Sequence, residues 1–453
     1  MFTKKRIRIT ILTACILAVC LTVTLLGVYW GTMMSAEEFI SIPIHRIASE
    51  STNIVDKTGD YLGHPDLALT SDGKLTVMYP AGHGKGAIIT KTSDDFGLTW
   101  SERRTDTPKS WETSQETPTL YRLKMTDDSE KLIVVSGCPS WAKDDEYLAD
   151  GFQCSVSDDL GKTWTEFRKF YGIEWANAQP PRNDAAIAAM DEESRLTLPN
   201  YDENGKALPY DVIVAMSSLT QLCDENGNLI DAWMGTFHDY GFYNYSSILT
   251  FDESGNPEWS APRRYLAPYR NWEEKSNICE VEVIRDPNSN TLILIGRANS
   301  RKTNSIITFS DDEGKTWTEP KELPYELCGD RHKAEYDATT GKLVISFRQL
   351  IPGHKANAFA RENFLAGNWV AWVGTVDDLL TYRDADASND ARGEALIVLG
   401  TNNSHGNPGD NGYSGIVCNE DGQFCAVAYG RFDDSSRNPF ILCARFRLSD
   451  FNL

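Results

Sequence analysis

The chain repeats one nine-residue phrase three times: TSDDFGLTW (92–100), VSDDLGKTW (156–164) and FSDDEGKTW (309–317). Each copy reads Ser-x-Asp-x-Gly-x-Thr-Trp, which is typical of a tight β-turn whose Ser and Asp side chains accept backbone N–H bonds. The Gly can adopt a positive φ, and we expect the Trp to pack beneath the following strand. A looser copy, TFDESGNPEW, lies at 250–259. Such recurrence predicts a repeat architecture.

The spacing of the copies indicates the number of units. Ser93 and Ser157 are about 64 residues apart, and the roughly 400 residues after position 50 leave room for six units of that size. Short β-rich segments, each introduced by a turn sequence, lie between the copies: KLTVMYP (74–80), KLIVVSG (131–137), DVIVAMSS (211–218), TLILIGR (291–297) and KLVISFR (342–348). Long stretches of helical periodicity are missing here. The pattern predicts an all-β, six-bladed propeller over residues 55–453.

The N-terminal segment has a different character. Residues 1–8 (MFTKKRIR) are basic, and residues 9–29 are mainly apolar. That length suits a transmembrane helix better than the core of a cleaved signal, and the basic residues place 1–8 in the cytoplasm. We therefore predict a single-pass cell-membrane protein in which residues 30–54 link the anchor to an external propeller. A signal cleaved near Ala36, with secretion of the rest, is the alternative.

Charge and cysteine content exclude several classes of function. The chain has 44 basic and 65 acidic residues and a formal charge of −21, which makes it a poor nucleic-acid binder and requires a local basic pocket for any anionic substrate. The ten cysteines show no zinc spacing, and we expect them to be small buried side chains. Disulfides Cys138/Cys154 and Cys418/Cys425 are the alternative. We predict a monomer without a cofactor.

The repeated turn is similar to the Asp-box of the sialidase (neuraminidase) superfamily, and residues 55–450 resemble the six-bladed propellers of that superfamily. The phrases GHPDLAL (63–69), TSQETPTL (113–120) and GYSG (412–415) resemble those of bacterial sialidase-like secreted proteins. The resemblance implies a Tyr nucleophile activated by a Glu, an Asp acid/base and three Arg that hold a substrate carboxylate. A phenol with a pKa near 10 needs a neighbouring carboxylate to draw off its proton. Being neutral, it approaches an anionic anomeric centre without repulsion.

The resemblance transfers in part to particular residues. NGYSGI (411–416) implies that Tyr413 is the nucleophile. ICEVEVI (278–284) implies Glu280 as its base, with Glu282 as the alternative because alternation would put both on one face. LILIGR implies that Arg297 is the second arginine of the clamp. Glu116, in QETPTL, matches a phrase near the active-site face and is otherwise a turn acid.

The departures from the family concern the acid/base and the arginines. Where sialidases open the first blade with Arg-Ile-Pro, this chain has GHPD (63–66), so the first arginine is absent. The loop that should bear the acid/base reads YPAGHGKGA (79–87) and offers His83 and Lys85. We predict His64 or Asp66 as the replacement acid/base, because a His can protonate a leaving oxygen near neutral pH. The third arginine has three candidates, the first of them preferred: Arg331, Arg348 and Arg361.

Several polar residues at strand ends and in loops are predicted to line one mouth of the channel: His64, Asp66, His83, Lys85, His238, Asp239, Asp330, Arg331 and His332. No fixed ligand spacing supports a metal centre among them, so none is predicted. Three aromatic residues are candidates for stacking on sugar rings: Trp111, Tyr240 and Trp272.

These observations predict a sialidase-like exo-glycosidase that releases a terminal sugar, sialic acid or a relative, from extracellular glycans. One alternative is a surface propeller that binds carbohydrate without turnover. Another is a glycosidase for a non-sialic sugar. A structural propeller or a lyase is the remaining alternative.

Overall fold

A computed structural model of the protein describes residues 16–22, 35–142, 149–354, 363–383, 392–403 and 410–453. In those residues the strands form six separate sheets arranged in a ring. The innermost strands of five of the six neighbouring pairs of sheets lie side by side. The predicted six-bladed propeller is confirmed.

The strands follow in chain order. Two strands precede the blades: β1 (Ile44–Arg46) and β2 (Thr52–Asp56). Blade 1 has β3 (Asp66–Leu69), β4 (Leu75–Pro80) and β5 (Ile88–Ser93). Blade 2 has β6 (Thr119–Lys124), β7 (Glu130–Gly137), β8 (Phe152–Ser157) and β9 (Arg168–Phe170). Blade 3 has β10 (Leu219–Cys223), β11 (Leu229–His238), β12 (Asn244–Phe251), β13 (Pro257–Trp259) and β14 (Arg263–Arg264).

The remaining blades complete the ring. Blade 4 has β15 (Ile278–Arg285), β16 (Leu292–Ala298), β17 (Ile306–Ser310) and β18 (Lys321–Glu322). Blade 5 has β19 (Gly329–Tyr336), β20 (Leu343–Pro352), β21 (Phe364–Gly374) and β22 (Ala395–Gly400). Blade 6 has β23 (Ser414–Cys418), β24 (Gln423–Gly430) and β25 (Phe440–Arg447). Short α-helices lie between strands, at Ile173–Ala178, Asp184–Ala189, Glu192–Arg195, Arg270–Ser276 and Val376–Leu380. Single 3-10 turns are at Ala36–Phe39, Ser49–Ser51, Lys109–Thr113, Ser140–Ala142, Ala267–Tyr269, Tyr325–Leu327 and Leu448–Phe451.

The two strands before the blades close the ring. β2 pairs antiparallel with β25 and becomes the outer strand of blade 6, and β1 pairs parallel with β22 at the edge of blade 5. The interpretation of residues 30–54 as a linker was therefore wrong for its second half. The reason is physical: the outer strands of both blades would otherwise leave backbone N–H and C=O groups unpaired at an edge.

The repeated turn has the predicted hydrogen bonds and joins the third strand of a blade to the chain that follows it. Ser93 Oγ accepts the N–H of Gly97 at 2.8 Å, and Asp95 accepts the N–H of Thr99 at 2.8 Å and its hydroxyl at 2.6 Å. The later two copies have the same bonds to within 0.1 Å. The three glycines have φ values of +83°, +82° and +78°. In the looser copy Asp252 also accepts the N–H four residues on, at 2.8 Å.

Four of the five predicted β-rich segments are strands, namely β4, β7, β16 and β20. The fifth, DVIVAMSS (211–218), is irregular, with only a single bridge from Ile213 to His238. Val214 and Met216 have φ values of +48° and +50°, which an extended strand does not allow. The strand of this blade starts later, at Leu219.

The N-terminal prediction falls largely outside the described residues. Residues 16–22 are helical, and the rest of the predicted span 9–29, like the basic residues 1–8, is not described. No helix within the described part of the chain is long and apolar enough to cross a membrane.

Neither alternative disulfide, Cys138/Cys154 or Cys418/Cys425, is formed. Cys138, Cys154 and Cys425 are buried, as expected for small core side chains. Cys425 lies next to Cys443 on the neighbouring strand, but their Sγ atoms are 3.5 Å apart, well beyond the roughly 2.05 Å of a disulfide bond.

Candidate active site

Three residues of the site region share one backbone feature, a left-handed conformation at or just before the start of an inner strand. Glu280 has a φ of +47° and Arg331 a φ of +55°, each at a register shift in its strand pair, and His64 has a φ of +53° just before β3. Such bulges redirect a side chain away from regular alternation. As a result Glu280 and Glu282 line different cavities, so the expectation that they share a face was wrong.

Tyr413, Glu280 and Arg297 meet in one place, although they come from blades 6 and 4. The Tyr413 hydroxyl donates to Glu280 Oε1 at 2.7 Å, and Arg297 Nη1 donates to the same oxygen at 2.6 Å. Arg297 Nη1 also contacts the Tyr413 hydroxyl. The three residues inferred from separate motifs therefore form one hydrogen-bonded cluster.

The neighbours of this cluster set its protonation. Burial raises the pKa of Tyr413 well above its ordinary 10, although Arg297 opposes that shift. Burial alone would raise the pKa of Glu280, but the positive charge of Arg297 outweighs it and leaves the pKa lowered. In the resting site the proton therefore lies on the phenol and Glu280 is a carboxylate able to receive it.

Asp330 holds three arginines beneath this cluster. Its carboxylate accepts two bonds from Arg301, at 2.6 and 2.8 Å, and lies 3.1 Å from Arg297 Nε. It also accepts a bond from Arg348, whose guanidinium lies 5.1 Å from the centre of the Tyr413 ring. Despite full burial, these cations hold the pKa of Asp330 far below its ordinary value.

Arg331, the preferred third arginine, is not among the described residues that line this part of the site. Arg331 is buried elsewhere, with Nη1 3.4 Å from the Ser217 carbonyl, and Arg361 lies outside the described residues. Arg348, one of the alternatives, faces the cavity. Arg301 also lines it and was missed, although it follows Arg297 by only four residues.

The cavity above the cluster has a volume of about 410 Å³. It contains charged, aromatic and hydroxyl-bearing side chains from five blades and their loops. The residues that line it are His64, His83, Gly84, Glu116, Thr117, Trp141, Ile213, Val214, Glu280, Arg297, Arg301, Arg348, Phe364, Asp410, Tyr413 and Tyr429.

His64 and His83 stand side by side in this cavity, with ring centres 4.8 Å apart. His64 Nδ1 accepts the backbone N–H of Gly84 at 3.0 Å, and burial together with His83 lowers its pKa well below 6.5. It is therefore neutral and a weak proton donor. His83 is more exposed, and its Nδ1 lies 2.5 Å from the Tyr61 hydroxyl, which also donates to Asp410 at 2.5 Å. Lys85 is not among the described residues that line the cavity.

Asp66 was placed wrongly. Its two oxygens accept the backbone N–H groups of Leu67 and Leu120, each at 3.0 Å, and it faces a different cavity of about 510 Å³ together with Glu282 and Lys333. Asp66 lies two residues beyond His64, whose left-handed backbone conformation interrupts the regular alternation of side chains. As a result Asp66 faces away from Tyr413. Asp66 is not among the described residues that line the cavity at Tyr413.

A second cavity of about 440 Å³ shares Glu280 and Arg297 with the first. His238 lines it, stacked on Phe242 with ring centres 5.6 Å apart, and burial lowers the pKa of His238 to about 4. Trp141 and Tyr240 add two aromatic faces. The cavities of about 410 and 440 Å³ adjoin at Glu280 and Arg297, and we refer to the two together as the cleft.

The other predicted contact residues do not line the cavities at Glu280 and instead have contacts within the protein. The Asp239 carboxylate accepts the N–H of Tyr243 at 2.9 Å and closes a turn. His332 Nε2 lies 2.9 Å from the Leu327 carbonyl, and its ring stacks on Phe347. Trp111 is fully buried, and Trp272 bonds Glu319 away from the cleft. Within the described residues, no group of three His, Cys, Asp or Glu is placed to hold a metal ion.

Glu116 lies at the wall of the first cavity. Its side chain is buried, Oε1 accepts the N–H of Thr117 at 2.8 Å, and Oε2 has no hydrogen-bond partner. Burial raises the pKa of Glu116 to about 7. The sequence alone did not separate this position from an ordinary turn acid.

Comparison with known proteins supports the fold. No protein-family model matches the chain, and no curated protein matches its sequence. Among solved structures the chain is similar to a protein of unknown function from Dyadobacter fermentans, with a TM-score of 0.54 and 17% identity over 87% of this chain and 97% of that one. It is also similar to the intramolecular trans-sialidase of Ruminococcus gnavus in complex with oseltamivir carboxylate, with a TM-score of 0.50 and 11% identity over 88% and 98% of the two chains.

An α-L-arabinofuranosidase of Fusarium graminearum in complex with an iminosugar inhibitor is a further similar structure. It has a TM-score of 0.50 and 12% identity over 88% of this chain and 97% of that one. At such low identities these likenesses establish the fold alone. The chain has the six-bladed propeller fold of sialidases and of other glycosidases.

Proposed function

We propose that the protein is a glycoside hydrolase that releases a terminal sugar from a glycan, with Tyr413 as the nucleophile and Glu280 as its base. The hydrogen bond between these two side chains, 133 residues apart in sequence and at the floor of an arginine-lined cavity, carries the proposal. As the Tyr413 oxygen bonds to the anomeric carbon, Glu280 receives the phenolic proton. Arg297 contacts both groups and stabilises the charge that moves between them.

The arginines support a sugar that carries a carboxylate, sialic acid or a relative of it. Arg297, Arg301 and Arg348 all line the cavity, and guanidinium groups bind carboxylates through paired N–H donors. A neutral phenol as nucleophile suits the same substrate, because a second carboxylate there would repel an anionic anomeric centre.

A neutral terminal sugar is the second candidate, and a separate observation favours it. Asp330 already bonds Arg301 and Arg348 and lies against Arg297, so much of the positive charge is satisfied within the protein. His64, which is uncharged, lines the cavity and belongs to the phrase GHPD (63–66), where the resemblance to sialidases leads us to expect Arg-Ile-Pro. Both features reduce the advantage of an anionic substrate.

Hydrolysis of a panel of aryl glycosides tests the proposal and separates the two candidates. The panel contains sialosides, other ulosonic acids, uronic acids and neutral hexosides and pentosides. We expect the wild-type protein to cleave at least one member and Tyr413→Phe to lose at least about 100-fold in kcat while still binding the released sugar in calorimetry.

Tyr269→Phe is the matched control, because its hydroxyl bonds only the Trp317 carbonyl, outside the cleft. It should retain wild-type activity. A wild-type protein that binds sugars but cleaves no member of the panel would be a carbohydrate-binding propeller. A Tyr413→Phe protein with unchanged kcat would exclude Tyr413 as the nucleophile.

We also propose that the propeller acts outside the cell, held by or released from the N-terminal segment. The basic residues 1–8 and the apolar run 9–29 support this location. Protease treatment of intact cells, followed by immunoblotting of the propeller, tests it. Protection of the propeller in intact cells but not in lysed cells would contradict an external location.

A further inference from the structure

We propose that Glu116 is the general acid/base of this site: a buried carboxyl group that lines the cavity above Tyr413 and has one oxygen without a hydrogen-bond partner. The inference rests on the proposed function, since it names the residue that protonates the leaving oxygen. It assigns to the wall of the cavity a role that neither His64 nor Asp66 can fill from its observed position.

The backbone fixes Glu116 at the start of blade 2. It lies three residues before β6, and the N–H of the next residue, Thr117, holds Oε1 at 2.8 Å. Oε2 stays unpartnered although the side chain is only 2% exposed. One oxygen is therefore anchored, and the other is buried without a hydrogen-bond partner in the wall of the cavity.

The Gly84 loop covers this carboxyl group. Gly84 has a φ of +71°, and a Cβ built there would lie 3.5 Å from Glu116 Oε1 and 3.4 Å from Trp141. Glycine at this position lets the loop approach closely while its N–H bonds His64. This close packing contributes to the burial of the Glu116 side chain.

The two cavity glutamates have opposite protonation states. Burial raises the pKa of Glu116 to about 7, and the charge of Glu280 adds to that shift. Glu280 is kept ionised by Arg297. Two carboxyl groups with pKa values pushed apart in this way match an acid and a base acting on one substrate.

The Glu116 carboxyl gives its proton to the glycosidic oxygen as the bond from that oxygen to the anomeric carbon breaks, and the aglycone leaves as a neutral alcohol. Meanwhile the Tyr413 oxygen bonds to the same carbon and its proton passes to Glu280. In the second half, the Glu116 carboxylate takes a proton from water, whose oxygen bonds to the anomeric carbon. The Tyr413 oxygen leaves and recovers its proton from Glu280.

His83 is the competing residue within the same cavity. Its side chain is 66% exposed, and its Nδ1 faces Tyr61 and Asp410 at the rim. His83 is thus open to water at the mouth of the cavity, whereas Glu116 lies in its buried wall. The experiment therefore includes His83 as a separate arm.

Glu116→Gln tests the proposal through the leaving group. A glycoside with a dinitrophenyl leaving group needs no protonation, whereas an alkyl glycoside or disaccharide of the same sugar does. We expect Glu116→Gln to lose at least about 100-fold in kcat/KM on the alkyl substrate and less than about 10-fold on the dinitrophenyl substrate. Added azide should accelerate the variant on the dinitrophenyl substrate and give a glycosyl azide, since azide attacks without a base.

Glu112→Gln is the matched control: the same chemical change at an exposed glutamate four residues earlier, with wild-type kinetics expected. An equal loss on both substrates, without azide rescue, would overturn the role of Glu116. The same would follow if His83→Gln, and not Glu116→Gln, showed the leaving-group dependence. A wild-type protein inactive on the whole panel would overturn the proposed function and this inference together, while an active wild type confines any failure to Glu116.

Discussion

Glu116 and Glu280 line one cavity but have different protonation states, because only Glu280 contacts a cation. The Arg297 guanidinium keeps Glu280 ionised, whereas Glu116 has a backbone N–H on one oxygen and nothing on the other. Desolvation without a cation favours the neutral form of a carboxyl group. The environment of each residue, rather than its type, thus determines its chemistry in this site.

The same contrast predicts how stability depends on pH. The pKa of Glu116 rises from an ordinary 4.5 to about 7 on folding, so the folded state binds this proton more tightly than the unfolded state. Its stabilising contribution is complete below pH 4.5 and is lost as the pH rises through 7. Glu116→Gln should therefore be more stable than the wild type at pH 8.5, by up to about 3 kcal/mol, with the difference fading towards pH 4.5.

Urea unfolding at several pH values measures this effect. Glu112→Gln, at an exposed position on the same segment, should show no such pH-dependent gain. A stability difference for Glu116→Gln that is constant from pH 4.5 to 8.5 would mean that the carboxyl group titrates alike in the folded and unfolded states.

The sequence could predict part of the site because some residues sit in recognisable phrases. Tyr413, Glu280 and Arg297 were found in this way, and the structure brings them together. Asp66 was misplaced, because a left-handed residue two positions earlier changes which side chain enters the cavity. Arg301 belongs to no recognisable phrase, so only the coordinates place it there.

At the level of single elements, the repeated turn stabilises a blade through its aspartate. Asp95 accepts three hydrogen bonds, from Ser93 Oγ at 2.8 Å and from the N–H and hydroxyl of Thr99 at 2.8 and 2.6 Å. One side chain thus satisfies donors at both ends of the turn. The neighbouring Asp94 is 81% exposed and pairs only with Lys74, at 3.2 Å.

These two adjacent aspartates provide a matched test. Asp95→Ala should lower the free energy of unfolding by about 2 kcal/mol, because the donors of Thr99 lose their acceptor. Asp94→Ala should change it by less than about 0.5 kcal/mol. Chemical denaturation of both variants gives the comparison, and equal effects would show that the turn does not depend on the hydrogen bonds of Asp95.

Strands were predictable where apolar residues follow a turn sequence, as in KLVISFR, and not where the backbone departs from extension. DVIVAMSS has the composition of a strand, but Val214 and Met216 adopt positive φ values that no propensity scale anticipates. The pairing of β1 and β2 with C-terminal strands was likewise invisible, since the complementary edges lie about 350 to 400 residues away.

For the whole molecule, the strand β2 joins the beginning of the chain to its end. Val55 on this strand is 2% exposed and packs with residues of blades 1 and 6, whereas Ile54 beside it is 50% exposed. The ring closes at this strand and depends on the packing of Val55. If that packing is lost, the apolar residues of blades 1 and 6 are exposed to water.

Val55→Asp should therefore destabilise the propeller strongly, on the order of 4 kcal/mol, since an unpaired charge would be buried at the closure. Ile54→Asp, the same change one residue away on the exposed face, should cost less than about 1 kcal/mol. Thermal unfolding and limited proteolysis of the two variants check this. A Val55→Asp protein as stable as Ile54→Asp would show that the ring holds together without β2.

Asp330 is a counterion, within the protein itself, for three arginines of the site. Because its carboxylate already occupies three guanidinium groups, they need no arriving anion to hold them together, and the field outside the cleft is weaker than three free cations would produce. We therefore expect the capture of a sugar to depend little on ionic strength. Selection among sugars would then follow the shape of the cleft and short-range contacts with hydroxyl groups.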